Sequence, residues 1–294
     1  MLRLKQLLPV VLVIAVSISC STMTTGEDRM ENKAHSKFQK GTILLIHGSA
    51  PFNQDGRVPD ARAGRYSKTE FYKTLAQELE KDGWNVVRYN KPGVYQDRID
   101  FDIYKTTDLA ILGKQLNELW STLPTDKPRL VFAWSEGSLH AALLPLNEVD
   151  GVILLGGISS NIRDVIFWQS REEGSNIENQ LKDLEGMPRT EMLGLDRPAG
   201  RLIDELRLPN NWTRFRQSPN LPILILHGES DSEVPVSQAF NWEKEIGPNQ
   251  ITTVLKTNAN HMFGFGEADG SEAIAAEIQL WWGNIQNNRN LRAR

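Results

Sequence analysis

The chain has 294 residues, a formal net charge of -4 at pH 7 and a single cysteine, Cys20, which excludes an intramolecular disulfide. Beyond the amino-terminal segment no basic cluster is dense enough to follow a phosphate backbone, so nucleic acid is not an expected partner. No glycine-rich phosphate loop and no set of residues at metal-ligand spacing is visible, so we expect neither a cofactor nor a metal.

The amino-terminal segment has the layout of an export signal. A basic start precedes an apolar run at residues 7–18, which is too short to span a bilayer comfortably. Ser19 and Cys20 follow this run, and the arrangement resembles a bacterial lipoprotein signal, in which the cysteine becomes the lipidated first residue. We therefore predict a signal peptide over residues 1–20 and membrane attachment through Cys20. Cleavage by the ordinary signal peptidase and an uncleaved anchor are the alternatives.

The lipoprotein resemblance implies a place in the bacterial cell envelope. Ser21, which stands where an aspartate would retain such a protein, favours sorting to the outer membrane. Without lipidation the protein would be periplasmic or secreted. Residues 21–40 are mostly polar and have no apolar period, which predicts a flexible tether.

Residues 41–288 show short apolar runs that alternate with amphipathic segments. The predicted strands lie at residues 42–46, 84–89, 130–132, 151–155, 223–226 and 252–255. The predicted helices lie at residues 69–81, 109–120, 137–142, 236–246 and 271–284. This alternation predicts an α/β domain with a mainly parallel sheet of about six strands and helices on both faces. Ligand chemistry in such sheets occurs outside the carboxyl ends of the strands.

One long segment, residues 159–220, interrupts the alternation. It contains several prolines and glycines together with aromatic residues such as Trp168 and Trp212. Loops of this length in a compact domain usually carry function or their own structure. We predict that it covers the active site as a lid or cap. The alternative is a packing insertion whose aromatic residues are simply buried.

Residues 129–142, RLVFAWSEGSLHAA, contain the best candidate for a nucleophile. A β-forming run at 130–132 is followed by residues that can continue as a helix, so Ser135 falls at a strand-to-helix corner. Such a tight turn needs small residues two before and two after the serine, and here they are Ala133 and Gly137. An ordinary loop serine or a helix cap is the alternative interpretation.

The ends of four predicted strands carry groups that serine-dependent acyl transfer requires. A base must accept the hydroxyl proton, an acid must orient that base, and N–H donors must stabilise the oxyanion. His261 can be the base and Asp231 the acid. The competitors for the acid are Glu229, Glu233 and Asp164, and the remaining histidines are His35, His47, His140 and His227. We expect His47 and His227 to brace their loops by hydrogen bonding.

These features together resemble the α/β-hydrolase-fold serine hydrolases. The chain order Ser135, Asp231, His261 is the order of that family. The segment HGESDSEVP, which contains Asp231, is similar to the family's acid loop, and His47-Gly48 resembles its oxyanion loop. The resemblance implies a Ser-His-Asp triad with the backbone N–H groups of Ser49 and Glu136 as oxyanion donors. Ala50 is a close second to Ser49.

The activity implied is that of an esterase-like serine hydrolase, which cleaves a carboxylic ester, thioester or amide of a small acyl substrate through an acyl-enzyme. A serine peptidase or an acyltransferase with the same triad is one alternative, and a non-catalytic envelope binding protein is another. The loop at residues 51–68 holds Arg57, Asp60, Arg62 and Arg65. These charges are either solvated or bind a substrate carboxylate. The turn at residues 90–93, Asn-Lys-Pro-Gly, is interpreted as part of the pocket rim alone.

Overall fold

A computed structural model describes residues 40–171, 177–266 and 268–292. The predicted signal peptide, Cys20 and all of the predicted tether except Lys40 lie outside these residues. No helix in the described ranges combines the length and the apolar character that a membrane span requires.

A six-stranded parallel sheet forms the centre of the described structure. Its strands are β1 (Gly41–Ile46), β2 (Trp84–Val87), β3 (Arg129–Trp134), β4 (Gly151–Leu155), β7 (Ile223–Gly228) and β8 (Ile251–Lys256). They lie in the order β2-β1-β3-β4-β7-β8, and each neighbouring pair is parallel. The predicted sheet of about six strands is therefore confirmed. Every residue of β1 and β4 is buried, as their nearly continuous aliphatic sequences predicted.

Ten α-helices, two short 3-10 helices (Ala61–Ser67 and Leu146–Glu148) and a short hairpin complete the described part of the chain. The helices are α1 (Phe71–Lys81), α2 (Phe101–Tyr104), α3 (Leu109–Ser121), α4 (Gly137–Ala141), α5 (Ile162–Ser170), α6 (Ile177–Glu185), α7 (Ala199–Leu206), α8 (Trp212–Arg216), α9 (Ser237–Ile246) and α10 (Ser271–Arg292). The hairpin consists of β5 (Met192–Leu193) and β6 (Arg197–Pro198).

The two faces of the sheet bury separate hydrophobic clusters. Alternate residues of a strand point to opposite faces, so Ile43 and Leu45 of β1 belong to one cluster and Leu44 and Ile46 to the other. The first cluster is covered by α1 and α10, and the second contains residues of α3 and α9. Helices therefore cover both faces, as the sequence predicted.

The closing helix is longer than the sequence predicted. The prediction ended at residue 284, whereas α10 continues to Arg292. The apolar periodicity stops after Trp281 and Trp282 because the following turns are largely exposed. Neither glycine nor proline follows Asn284 directly, so helical hydrogen bonding continues although no core contact marks it.

The segment at residues 159–220 has its own small core. It contains α5 to α8 and the β5–β6 hairpin. Ile162, Val165 and Ile203 of this segment pack with Leu139 of α4 and with Val234, which follows β7. The segment thus covers elements that adjoin Ser135 and Asp231. Whether it moves as a lid stays a prediction.

We predict that Gly137→Ala destabilises the protein. A Cβ at this position would lie 2.6 Å from the Ile46 carbonyl oxygen and 2.7 Å from the His47 carbonyl oxygen, and neither backbone atom can move freely. The free energy of unfolding, measured by urea denaturation, should fall by more than about 2 kcal/mol.

The matched control is Gly283→Ala in α10, where an added Cβ meets no atom within 4 Å. Its stability should stay unchanged or rise by up to about 1 kcal/mol, because alanine favours a helix more than glycine. Wild-type stability of Gly137→Ala would contradict the close approach of α4 to the end of β1.

Candidate functional site

Ser135 occupies a strained turn between β3 and α4. Its φ angle is 57°, in the left-handed region that residues other than glycine rarely adopt. The Ser135 N–H donates to the Leu155 carbonyl at 2.8 Å, which fixes the turn against the end of β4. Strain of this kind persists only where the surrounding structure enforces it, and it concentrates at functional sites. The strand-to-helix corner that the sequence predicted is therefore present.

Asp231 lies in the loop after β7, where three hydrogen bonds and a longer contact with His227 orient its carboxylate. Its Oδ1 accepts from the N–H groups of Glu233 and Val234 at 2.8 and 2.9 Å. Its Oδ2 lies 2.7 Å from Nδ1 of His261 and 3.4 Å from Nε2 of His227. Burial raises the pKa of Asp231, but the charge and hydrogen bond of His261 outweigh it, so the pKa lies below its ordinary value.

His261 follows β8 and is 2 % exposed. Its ring packs against the indole of Trp134 with centroids 5.5 Å apart, and Trp134 Nε1 donates to the His261 carbonyl at 3.1 Å. Burial lowers the pKa of His261, but the negative charges of Asp231 and Glu233 outweigh it and raise the pKa above its ordinary value. The imidazole is thus held in one orientation beside the residue that precedes Ser135.

Ser135 and the His261–Asp231 pair adjoin the same strand end. Ser135 is hydrogen-bonded to Leu155, and a Cβ added at the next residue, Gly156, would lie 3.0 Å from His261 Nδ1 and 3.2 Å from Asp231 Oδ2. Among the described residues no hydrogen bond joins the Ser135 hydroxyl to His261. Catalytic hydrogen bonds are commonly long before substrate binds and tighten in the complex.

Glu233 lies beside the other nitrogen of the imidazole. Its Oε2 is 3.7 Å from His261 Nε2, while its Oε1 accepts from the Tyr66 hydroxyl at 2.5 Å and pairs with Arg65. Tyr66 in turn packs edge-on against Trp134. The sequence offered Glu233 only as a competitor for the acid. In the structure it lies on the opposite side of the His261 ring from Asp231.

The remaining charges of the loop at 51–68 contact other partners. Arg57 donates to the Gln96 carbonyl at 2.8 Å, and Arg62 pairs with Asp60 at 2.5 Å. Only Arg65, through Glu233, borders His261. Binding of a substrate carboxylate by these arginines stays a prediction.

The loop after β1 approaches Ser135 from the other side. A Cβ added at Gly48 would lie 3.3 Å from Ser135 Cβ, so the loop and the serine are in contact. In the described ranges neither the Ser49 N–H nor the Glu136 N–H donates a hydrogen bond to another residue. Both groups were predicted as donors to an oxyanion, and donors for a ligand must lack an acceptor within the protein.

No family model matches the chain, and no curated protein matches it in sequence. The fold is similar to that of a malate-bound thermophilic esterase from Thermogutta terrifontis, with a TM-score of 0.55, 16% identity, and coverage of 85% of this chain and 92% of that one. For Est1E from Butyrivibrio proteoclasticus, with ferulic acid bound, the TM-score is 0.55 at 13% identity, and the match covers 86% of this chain and 91% of that one. For a bromoperoxidase from Bacillus anthracis the TM-score is 0.53 at 15% identity, and the match covers 83% of this chain and 92% of that one.

This chain has the α/β-hydrolase fold. The prediction of that fold from the order of the strand-end residues is confirmed. At these low identities the likeness establishes the architecture, and the chemistry must be argued from the residues themselves.

His47 and His227 make the bracing contacts that the sequence predicted for them. His47 Nε2 lies 2.7 Å from the Tyr89 carbonyl oxygen, and its ring stacks on Tyr72. His227 Nε2 lies 3.0 Å from the Val234 carbonyl oxygen. Burial lowers the pKa of His47 to about 3, which keeps this ring uncharged at neutral pH. The other competitors for the acid, Glu229 and Asp164, are exposed.

A cluster of charged side chains lies behind the turn at Ser135 and was not predicted; all of its members are buried except Arg197, which is partly exposed. We call it the buried ionic cluster, and its members are Lys91, Glu136, His140, Arg197, Arg201 and Glu205. His140 contacts Glu205 at 3.0 Å, Arg197 contacts both Glu136 and Glu205, and Arg201 is fully buried between the same two carboxylates. Burial raises the pKa of Glu136, but the two arginines outweigh it and hold the pKa below its ordinary value.

Three residues of the cluster could also offer ligand atoms to a metal ion. The relevant atoms of Glu136, His140 and Glu205 lie within 4.8 Å of one another. However, both carboxylates already contact Arg197 and Arg201, so protein cations balance their charge. The set is therefore an internal ion network; Glu136 and His140 are four residues apart, whereas Glu205 lies 65 residues from His140 and joins them only through the fold.

We predict that Glu233→Gln lowers the pKa of His261. A negative charge near Nε2 favours the imidazolium, and its removal also leaves the positive charge of Arg65 uncompensated beside the ring. The His261 Cε1 proton, followed by NMR through a pH titration, should therefore titrate at lower pH in the variant.

The control is Glu229→Gln, which removes an exposed carboxylate from the same loop. It should leave the His261 titration near its wild-type position because exposed charges are screened by solvent. An unchanged or higher pKa of His261 in Glu233→Gln would show that Glu233 does not act on the ring.

Proposed function

We propose that this protein is a serine hydrolase that cleaves a carboxylic ester through an acyl-enzyme. The observation that carries the proposal is the 2.7 Å contact between Asp231 Oδ2 and His261 Nδ1 beside the strained turn at Ser135. An imidazole whose Nδ1–H is held by a buried carboxylate presents a basic Nε2, as general-base catalysis requires. The two groups and a partly exposed serine at a left-handed corner are the parts that acyl transfer needs.

In the proposed mechanism His261 Nε2 accepts the Ser135 proton while Oγ attacks the carbonyl carbon. The N–H groups of Ser49 and Glu136 stabilise the oxyanion, and the proton passes from His261 to the leaving group. Water then attacks the acyl-enzyme with His261 again as base. The Asp231 carboxylate stabilises the imidazolium formed in each step.

An ester is preferred as the substrate because proteins described as esterases share this architecture. The likeness to a bromoperoxidase shows how readily the fold hosts other chemistry, so this support is limited to the class of reaction. We expect the segment at 159–220, whose Ile162, Val165 and Ile203 pack with Leu139 of α4, to influence the preferred acyl length and leaving group. A chain-length series of nitrophenyl esters, assayed beside aminoacyl amides, would separate an esterase from a peptidase.

We predict that Ser135→Ala lowers kcat on nitrophenyl esters by at least about 10³-fold, because the nucleophile is removed while binding groups remain. The same variant should lose covalent labelling by a fluorophosphonate. Its thermal unfolding should change little, since the hydroxyl of Ser135 makes no hydrogen bond within the described residues.

Ser121→Ala, at the exposed end of α3, is the matched control and should keep wild-type turnover and labelling. Hydrolysis by Ser135→Ala at the wild-type rate would refute the proposed nucleophile. A wild-type protein that is neither labelled nor active on any ester or amide would favour the non-catalytic binding protein.

We also propose that the mature protein is attached to a bacterial envelope membrane through lipidated Cys20, by way of the tether at residues 21–40. The support is the sequence alone: a basic start, a short apolar run and a cysteine directly after Ser19. An acyl chain with a second lipid would give stable anchoring without a spanning helix.

Cys20→Ala should therefore release the protein from the membrane fraction of a bacterial host and abolish incorporation of labelled palmitate. Ser67→Ala, which replaces a partly buried serine of the described structure, is the control and should leave the fractionation unchanged. Membrane association of Cys20→Ala, together with an unprocessed amino terminus, would instead indicate an uncleaved anchor.

A further inference from the structure

The ammonium group of Lys91 is bound to three consecutive carbonyl oxygens of the loop after β1. Its Nζ donates to the carbonyls of Gly48, Ser49 and Ala50, at 3.0 Å for Ser49 and 2.9 Å for Ala50. Lys91 is 1 % exposed. A neutral amine has only two N–H donors, so the three carbonyl acceptors favour the protonated group, although burial and the nearby charge of Arg201 lower the pKa of Lys91 well below its ordinary value. The turn at residues 90–93 was interpreted as part of the pocket rim alone, and for Lys91 that interpretation was wrong.

These hydrogen bonds fix the direction of the adjoining N–H groups. The described part of the chain has no cis peptide bond, so each carbonyl and the N–H of the next residue point in opposite directions. When Lys91 holds the carbonyls of Gly48 and Ser49, the N–H groups of Ser49 and Ala50 must face away from Lys91. These are the two residues that the sequence offered as oxyanion donors, and the loop contacts Ser135.

Two further side chains hold the middle carbonyl of this loop. The Ser49 oxygen also accepts from Arg201 Nη2 at 2.6 Å and from the Tyr104 hydroxyl at 3.3 Å. Arg201 and Tyr104 contact each other at 3.2 Å, and both donate to the Asp196 carbonyl. Both side chains are fully buried. Lys91 and Arg201 thus donate to the Ser49 carbonyl, while the single proton of the Tyr104 hydroxyl is shared between this carbonyl and that of Asp196.

The same buried ionic cluster reaches the second donor residue. Glu136 follows Ser135, and its carboxylate contacts Arg197 and lies 3.8 Å from Arg201 Nε. The Arg201 side chain therefore contacts the backbone carbonyl of Ser49 and the side chain of Glu136. Arg197 and Arg201 belong to β6 and α7 of the segment at 159–220, so this segment contributes directly to the surroundings of both donors.

We propose that Lys91, assisted by Tyr104 and Arg201, is a positioning residue that aims the N–H groups of Ser49 and Ala50 at the substrate carbonyl bound beside Ser135. This inference rests on the proposed hydrolase function. Groups that orient an oxyanion donor act on the transition state more than on the bound substrate, because full negative charge on the oxygen develops only there. The loss of Lys91 should therefore lower kcat and leave KM nearly unchanged.

The test uses Lys91→Met and Tyr104→Phe in the full-length protein. Active sites are counted by complete reaction with a fluorophosphonate, and kcat and KM on a nitrophenyl ester are then measured per active site. The inhibition constant of an alkyl boronic acid, which forms a tetrahedral adduct with the serine, is measured beside them. This constant reports on oxyanion stabilisation without depending on turnover.

We expect kcat per active site to fall by about 10- to 100-fold in Lys91→Met and by about fivefold in Tyr104→Phe, which loses one hydroxyl. The boronic acid should bind more weakly by similar factors. Lys73→Met and Tyr95→Phe are the matched controls because their side chains are 44% and 39% exposed, and both should match the wild type.

A purely structural role would lower the thermal stability of the variants and leave kcat per active site and boronic acid affinity unchanged, and that result would overturn the inference. If Lys91→Met does not fold, the volume-conserving Tyr104→Phe decides, and wild-type kcat for it would overturn the inference too. A wild-type protein that no fluorophosphonate labels would remove the proposed function and this inference with it. Labelled wild type with unaffected variants would remove the inference alone.

Discussion

The parallel register of the central sheet is the constraint on which the candidate site depends. Ile46 pairs with Ala133, Trp134 with Leu155, and Leu155 with Leu226, so successive strands end at one edge. Loops that follow these strands must then meet there, although they are separated by up to about two hundred residues of sequence. The close approach of α4 to the end of β1 at Gly137 tightens this edge further, because it leaves no space for a side chain.

Two groups of buried ionisable side chains lie near Ser135, and in each group the carboxylates contact cationic or hydrogen-bonding partners. In one group Asp231 contacts His261, with Glu233 and Arg65 at its border. In the other group two carboxylates of the buried ionic cluster contact Arg197 and Arg201. A buried charge is costly unless it is paired and hydrogen-bonded, so each group tolerates few alternative arrangements. We therefore expect this edge of the sheet to be rigid, so that its loops keep their orientation while negative charge develops on the substrate.

The segment at 159–220 packs both against the sheet and against elements beside the candidate site. Phe215 is buried in the core beneath the sheet, as a packing insertion would have it. Three residues of the segment, Ile162, Val165 and Ile203, pack on Leu139 of α4. Arg201 donates to the loop after β1. Removal of this segment would therefore remove the Arg201 contact to the loop at 48–50. Substrate selection and support of the backbone donors would then be difficult to change independently.

The sequence by itself determined the six strands, the fold and the strand-end positions of Ser135, Asp231 and His261. It could do so because burial on both faces leaves continuous apolar runs, and because a tight elbow admits only small residues beside the serine. Only the tertiary structure decided that Glu233 faces His261 and that Lys91, Tyr104 and Arg201 hold the loop at 48–50. Arg201 and Ser49 are 152 residues apart, and a lysine at a turn has the same local pattern whether it is solvated or buried. Hydrophobic periodicity records which face of an element is buried, but a polar side chain finds its partners only after the elements have packed.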